Sequence, residues 1–287
     1  MAATSSPKRL KTYLEFVKFE HTLFALPFAY GGMLLAAGGW PGWVTFFWIT
    51  LAMVGARTAS MALNRVVDAR IDAQNPRTAT REIPKGALLK RDGILLAVVS
   101  FALLALAGWA LNPLTLMLLP VAVFFLSIYP YTKRFTWLCH YVLGLTIGAA
   151  AAGGWIAVTG AFAPATFALW AGVGLWIAGF DIIYALLDYD FDVKHGIYSV
   201  PSRFGGERAL TISAVTHLIA WLALGAVLPL AGLGYFYAAA LLVVAGVLIY
   251  AHLLVRDKGA GAALASFNAN LYVSSIVLLG VVLELVF

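Results

Sequence analysis

Asn64-Arg-Val-Val-Asp68-Ala-Arg-Ile-Asp72 closes a long apolar run, and Asp181-Ile-Ile-Tyr184-Ala-Leu-Leu-Asp188-Tyr-Asp-Phe-Asp192 closes another far downstream. In the first stretch Asn64, Asp68 and Asp72 recur at i, i+4 and i+8; in the second Asp181, Tyr184, Asp188 and Asp192 recur at i, i+3, i+7 and i+11. On an α-helix each set projects from one face. Two helices therefore each carry a column of carboxylates at the end of an apolar segment. Like charges about 6 Å apart repel by roughly 2–3 kcal/mol at an effective dielectric of about 20. Solvated capping charges account poorly for one such column and worse for two matched ones. A bound divalent metal accounts for both.

Around these stretches the chain is strongly apolar. Of its 287 residues 62% are hydrophobic and 11% charged, where a soluble domain carries about 25% charged residues. Many runs reach the roughly 20 residues that span a bilayer as a helix. No alternation suited to a membrane barrel is present. The expectation is an all-α polytopic membrane protein, residues 1–287 forming one transmembrane domain. About nine spans are predicted: 18–38, 44–68, 93–111, 114–131, 138–159, 166–189, 208–229, 233–254 and 264–286. Tight connections such as Gly38-Gly-Trp-Pro-Gly42 and Asn112-Pro113 impose antiparallel hairpins. The first apolar run is too long for a cleaved signal peptide.

Lys and Arg sort by loop. They fall in the N-terminal segment, in the loops after the second, fourth, sixth and eighth spans, or on helix ends facing those loops, with Arg57 deepest. By the positive-inside rule these segments are cytoplasmic, and both carboxylate columns lie on that side. The net charge of +6 then reflects topology, anionic headgroups or an anionic substrate rather than nucleic acid. The columns sit on the second and sixth spans, each followed by a polar loop (69–91 and 190–207), which suggests an internal repeat of four-helix units. The single cysteine, Cys139, excludes an intrachain disulfide and is read as a small buried apolar residue.

Asp68, Asp72, Asp188 and Asp192, without clustered Cys or paired His, suit Mg²⁺, which takes a few carboxylates plus phosphate oxygens and water. The loop 69–91 carries Arg70, Arg77, Arg81, Lys85, Lys90 and Arg91 beside them. Fixed cations next to metal carboxylates suit a diphosphate. Positive-inside anchoring explains Lys90 and Arg91, whereas Arg77 and Arg81 are read as substrate-binding. Lys194, Ser199, Ser202 and Arg203 offer a weaker second set. Tyr129 and Lys133, at i and i+4, reach one anion or form an interfacial belt. Arg57, two turns before Asn64 in the apolar run, is an intramembrane charge and hence a functional candidate. It binds an acceptor carboxylate or pairs with Asp181 or Asp188. His140, His217 and His252 are read as packing or interfacial residues. The run Gly144 to Gly154 is a close-packing helix face.

Together these residues resemble the UbiA superfamily of intramembrane aromatic prenyltransferases, most closely its 4-hydroxybenzoate polyprenyltransferase branch. The resemblance rests on Asn64/Asp68/Asp72, Arg77-Thr78 and Arg81, Tyr129-Pro-Tyr131-Thr-Lys133-Arg134, Asp181/Tyr184-Ala/Asp188/Asp192 and Gly196-Ile-Tyr-Ser199. One departure is Asn64-Arg65, where many members have Asn-Asp. The resemblance implies nine helices in one bundle around a central cavity under a cytoplasmic cap, in the inner membrane if the cell is bacterial. It implies two Mg²⁺ ions holding a polyprenyl diphosphate between the motifs. The prenyl group would pass to a small aromatic acid, 4-hydroxybenzoate in ubiquinone biosynthesis or, alternatively, a dihydroxynaphthoate in menaquinone biosynthesis. Tyr184 would face the allylic cation, Arg57, Lys133 and Arg77 would help the diphosphate leave, and Asp181 would take the ring proton or hold the acceptor. A transporter, the rival of another class, would place its charges near the bilayer midplane on broken helices.

Overall fold

Apolar runs in lipid must satisfy their backbone polar groups internally, so they wind into helices. The computed structural model describes residues 6–18 and 26–287, and every long apolar run within them is helical. The elements are α1 (Ser6–Phe16), α2 (Leu26–Ala37), α3 (Trp43–Asp72), α4 (Lys90–Leu111), α5 (Pro113–Thr132) and α6 (Cys139–Thr159). They continue with α7 (Pro164–Tyr184), a 3₁₀ turn (Ala185–Asp188), α8 (Tyr189–His195), α9 (Val200–Phe204) and α10 (Gly206–Leu230). The chain ends with α11 (Tyr235–Lys258), a second 3₁₀ turn (Ala260–Ala262) and α12 (Ala263–Val286).

Eight helices among the described residues are long and apolar enough to cross a membrane. The first of the nine expected spans, 18–38, is represented by the shorter apolar helix Leu26–Ala37, and residues 19–25 of that span lie outside the described residues.

Helix ends follow local chemistry. Asn112 caps α5 by accepting from the Thr115 N–H at 3.0 Å, with Pro113 as the first helical residue. The same Asn112 amide donates to the carbonyls of Ile156 (2.8 Å) and Ala157 (3.0 Å), tying the turn to the end of α6. Gly160 then ends α6 in the left-handed conformation, φ 63°.

Close packing centres on α6, which lies between α7 and α2. A Cβ at Gly144 would strike the Gly174 carbonyl of α7, and one at Gly154 would strike the Ala29 carbonyl of α2. The small residues therefore let backbones touch, which is how helices associate where lipid removes the hydrophobic drive. α7 also packs on α10, α3 on α4, α11 on α12, and α12 returns to α2. One buried polar pair ties α7 to α12 in this core: Trp176 Nε1 donates to Asn270 Oδ1 at 3.0 Å.

Two features place the site. First, α3 has 30 residues, about 45 Å at 1.5 Å per residue, against a hydrocarbon core of about 30 Å. The helix is longer than that core, and its last two turns carry Asp68 and Asp72, both buried against neighbouring segments. Second, the downstream column is not one continuous α-helix as its spacing predicts. α7 stops at Tyr184, and Ala185–Asp188 is 3₁₀ before α8 resumes. A 3₁₀ turn advances about 120° per residue instead of about 100°. Asp188 and Asp192 are thereby rotated away from the register of Asp181, and Asp188 meets the loop after α3.

Candidate active site

The ends of α3 and α7, the segment after each, and the α5–α6 connection enclose a cavity of about 230 Å³. Its wall includes Asn64, Asp68 and Asp72 from α3, Arg77 and Arg81 from the following loop, and Tyr129 and Lys133 from α5. Asp181, Tyr184, Asp188 and Asp192 complete it from the second column. Eleven residues singled out in the sequence thus meet on one surface.

Each carboxylate is held differently. Asp68, with 1% of its side chain exposed, receives Lys133 Nζ at 2.5 Å and Arg134 Nη2 at 3.1 Å. Asn64 Nδ2 also approaches it at 3.4 Å. Asp72 Oδ1 receives Arg81 Nη1 at 2.7 Å, while its buried Oδ2 has no partner among the described residues. Asp188 Oδ1 receives Asn75 Nδ2 at 2.7 Å and Arg77 Nε at 2.8 Å, and Arg77 Nη2 reaches Oδ2. Asn75 also accepts the Arg77 N–H at 3.0 Å, so one turn presents both donors to Asp188. Arg77 Nη1 donates to the Tyr184 hydroxyl at 3.0 Å, with the guanidinium 5.2 Å from the ring centre. Burial works against the Arg77 charge, but the Asp188 carboxylate and Tyr184 more than offset it and raise its pKa above the usual arginine value.

Asp181 lies deeper and meets no fixed cation among the described residues. His140 Nδ1 is 2.6 Å from Asp181 Oδ2, and His140 Nε2 accepts the Val200 N–H at 3.2 Å. Tyr129 is buried and exchanges hydrogen bonds with Ser60: its hydroxyl accepts from Ser60 Oγ at 3.2 Å and donates to the Ser60 carbonyl at 3.3 Å.

Two predicted site residues stand elsewhere. Lys194 does not line the cavity: α8 turns Asp192 inward, and Lys194, two residues further round the helix, is exposed. Arg57 also lies outside the lining, and neither predicted carboxylate is paired with it, since Asp181 binds His140 and Asp188 binds Arg77. Its Nε is buried without a partner among the described residues.

Other residues take places that the sequence reading did not assign. His140 is in the cavity wall rather than in packing, and Cys139 is a partly exposed wall residue whose Sγ lies 3.3 Å from the Tyr198 carbonyl. Asn75 and Arg134 bind the two columns directly. A histidine in the first turn of a membrane helix was the available signal for the first. For Asn75 it was the Asn-Pro turn three residues past Asp72.

The donor set fits Mg²⁺. It consists of oxygens from four aspartates, one of them the partnerless Asp72 Oδ2. Among the described residues no three His, Cys, Asp or Glu side chains converge enough to hold an ion alone. Mg²⁺ needs no such cage, since it keeps waters and shares phosphate oxygens. Charge points the same way. Five lining residues are aspartates and three are permanent cations, an excess of two negative charges. A diphosphate cannot enter such a wall favourably without divalent cations of its own.

The sequence profile described as the UbiA prenyltransferase family matches residues 25–276. The chain is similar to a 4-hydroxybenzoate octaprenyltransferase of Vibrio cholerae, 31% identical over 258 residues and covering 88% of each chain. Among solved structures it is similar to the apo UbiA homolog from Aeropyrum pernix K1, with a TM-score of 0.85, 33% identity, and 92% of this chain and 98% of that one covered. A UbiA homolog from Archaeoglobus fulgidus bound to GPP and Mg²⁺ shares the fold, with a TM-score of 0.69, 20% identity, and 93% and 99% covered.

Proposed function

We infer the function from one premise: this chain belongs to the UbiA prenyltransferase family. It is an integral membrane enzyme that transfers a polyprenyl group from an isoprenyl diphosphate to an aromatic acceptor, with Mg²⁺ as cofactor. The acceptor we propose is 4-hydroxybenzoate, the substrate named in the similar Vibrio cholerae enzyme. The observation that carries the reaction is the joining of both aspartate columns and three fixed cations on one cavity wall.

In this reading Asp68, Asp72, Asp188 and Asp192 hold the metal, and bound Mg²⁺ supplies charge neutralisation to the diphosphate leaving group. Arg77, Arg81 and Lys133, which hold these carboxylates in the structure, turn toward the diphosphate oxygens when it binds. Asn64 and Tyr129 shape the same wall. The Tyr184 ring, packed 4.9 Å from the Phe267 ring, faces the allylic cation. The membrane-embedded wall keeps out water that would quench that cation. Arg57, whose buried Nε has no partner among the described residues, binds the acceptor carboxylate. Asp181 takes the ring proton. The N-terminus and the segments around the cavity face the cytoplasm.

The test is turnover. Purified protein given geranyl diphosphate, Mg²⁺ and a panel of phenolic acids should release diphosphate and form a prenylated ring only with metal present. Release without metal, or no prenylated product from any acid, rejects the assignment.

A further inference from the structure

Asp181 differs from the other carboxylates of the cavity in what holds it. Asp68, Asp72 and Asp188 are bound by lysine or arginine, and Asp192 is hydrogen-bonded to Ser199. Asp181 is held by an imidazole, and hydrogen bonding settles which form that imidazole takes. The Val200 N–H donates to Nε2 at 3.2 Å, so Nε2 carries a lone pair. The ring proton is therefore on Nδ1, which donates to Asp181 Oδ2 at 2.6 Å. In this arrangement His140 is neutral, and Asp181 Oδ2 is the acceptor of its one N–H.

The exposure is inverted relative to a histidine base backed by an aspartate. Here the His140 side chain is 4% exposed and the Asp181 side chain 27%. The histidine has no free lone pair to offer, and the carboxylate has an open oxygen on the cavity. Asp181 is also well placed along the helix axis. It lies seven residues before Asp188, roughly 12 Å deeper than the diphosphate end at about 1.5 Å per α-helical residue and about 2.0 Å per 3₁₀ residue. An acceptor ring meeting the prenyl carbon below the diphosphate comes level with it.

We propose that His140 is a positioning residue that fixes Asp181 to receive the ring proton of the aromatic acceptor. After the new carbon–carbon bond forms, the C–H bond at the same ring carbon breaks. Its electron pair restores the aromatic ring, and the proton goes to the free Asp181 oxygen, then to solvent when the products leave. His140 holds Oδ2 throughout and neither gains nor loses a proton. The Val200 N–H, one of the free donors at the start of α9, locks the imidazole in the required tautomer. The cap segment is pinned nearby by the Tyr198 N–H on the Lys133 carbonyl at 2.8 Å. His140 thereby couples the proton acceptor to the segment that closes the cavity.

This rests on the prenyltransferase reading, and the experiment separates the two. The probes are geranyl diphosphate, Mg²⁺ and 4-hydroxybenzoate, either unlabelled or deuterated beside the hydroxyl. His140→Leu should lower kcat by about tenfold to a hundredfold with the KM for geranyl diphosphate unchanged. It should also show a primary isotope effect larger than wild type. His140→Asn, whose amide can replace the Nδ1 donor, should recover most of the rate and the wild-type isotope effect. A slower His140→Leu whose isotope effect stays at the wild-type value overturns the positioning role and leaves the prenyltransferase reading intact. Full activity in Asp181→Asn removes Asp181 as proton acceptor and the proposal with it. A tautomer measurement needs no acceptor. The ¹⁵N spectrum of histidine-labelled protein in lipid nanodiscs, less that of His140→Asn, should show a neutral ring protonated at Nδ1. An imidazolium or an Nε2-protonated ring overturns the proposal even if 4-hydroxybenzoate is not the acceptor.

Discussion

Arg77 and Asp188, 111 residues apart in the chain, are joined at two points: Nε lies 2.8 Å from Oδ1, and Nη2 reaches Oδ2. This fork binds the loop after the first aspartate column to the second column. Arg77→Lys keeps the charge and loses the fork. Losing one charge-assisted hydrogen bond should raise the KM for geranyl diphosphate about tenfold to a hundredfold. Steady-state kinetics with a KM within twofold of wild type would show that the planar fork is not required.

Asp68 and Asp188 test the two columns separately. Asp68→Ala and Asp188→Ala should each lower turnover by more than about a hundredfold, since each removes charge stabilisation of the leaving group. Circular dichroism should report an unchanged helical fold. Chelation of wild type should have the same effect and be reversed by Mg²⁺. Near-normal turnover of either variant in excess Mg²⁺ takes that column out of the reaction.

Arg57 separates acceptor from donor. It precedes Asn64 by seven residues, about 10 Å deeper along the helix. Arg57→Lys should raise the apparent KM for the phenolic acid more than that for geranyl diphosphate. A rise confined to geranyl diphosphate would place Arg57 at the diphosphate instead.

Gly144 tests the helix contact behind the site. An alanine Cβ there would run into the Gly174 carbonyl, and backbone cannot step aside cheaply. Gly144→Ala should cost about 1–3 kcal/mol and lower the thermal midpoint in detergent. Gly153→Ala, with nothing within 4 Å of its added Cβ, is the matched control and should not. Equal midpoints would mean that α6 and α7 can separate freely.

Ala73 tests orientation, because it begins the loop between Asp72 and Arg77. In a Cys139→Ala background, Ala73→Cys should react with a membrane-impermeant maleimide only after the cytoplasmic face is opened. Labelling from the outside of intact cells would invert the topology.

Much of this was legible in the residues because it depends on neighbours along the chain. Helices follow from apolar runs and the need of each backbone to satisfy itself in lipid. The aspartate spacing put a column on α3, and the close-packing role of the Gly144–Gly154 run followed from residue size alone. Interactions across the chain were not legible. The fork from Arg77 to Asp188 depends on where two distant segments meet. The 3₁₀ turn at Ala185–Asp188 breaks a spacing that fits an uninterrupted α-helix, and no Gly or Pro lies within it to announce the break. Lys194 and Arg57 shared the right composition and fell outside the lining because direction, not residue type, decides what a side chain faces. His140 shows the division most plainly. Sequence supplies an imidazole at the start of a membrane helix. Only the fold brings Asp181 to one nitrogen and the Val200 N–H to the other, and those two contacts set its tautomer and so its chemistry.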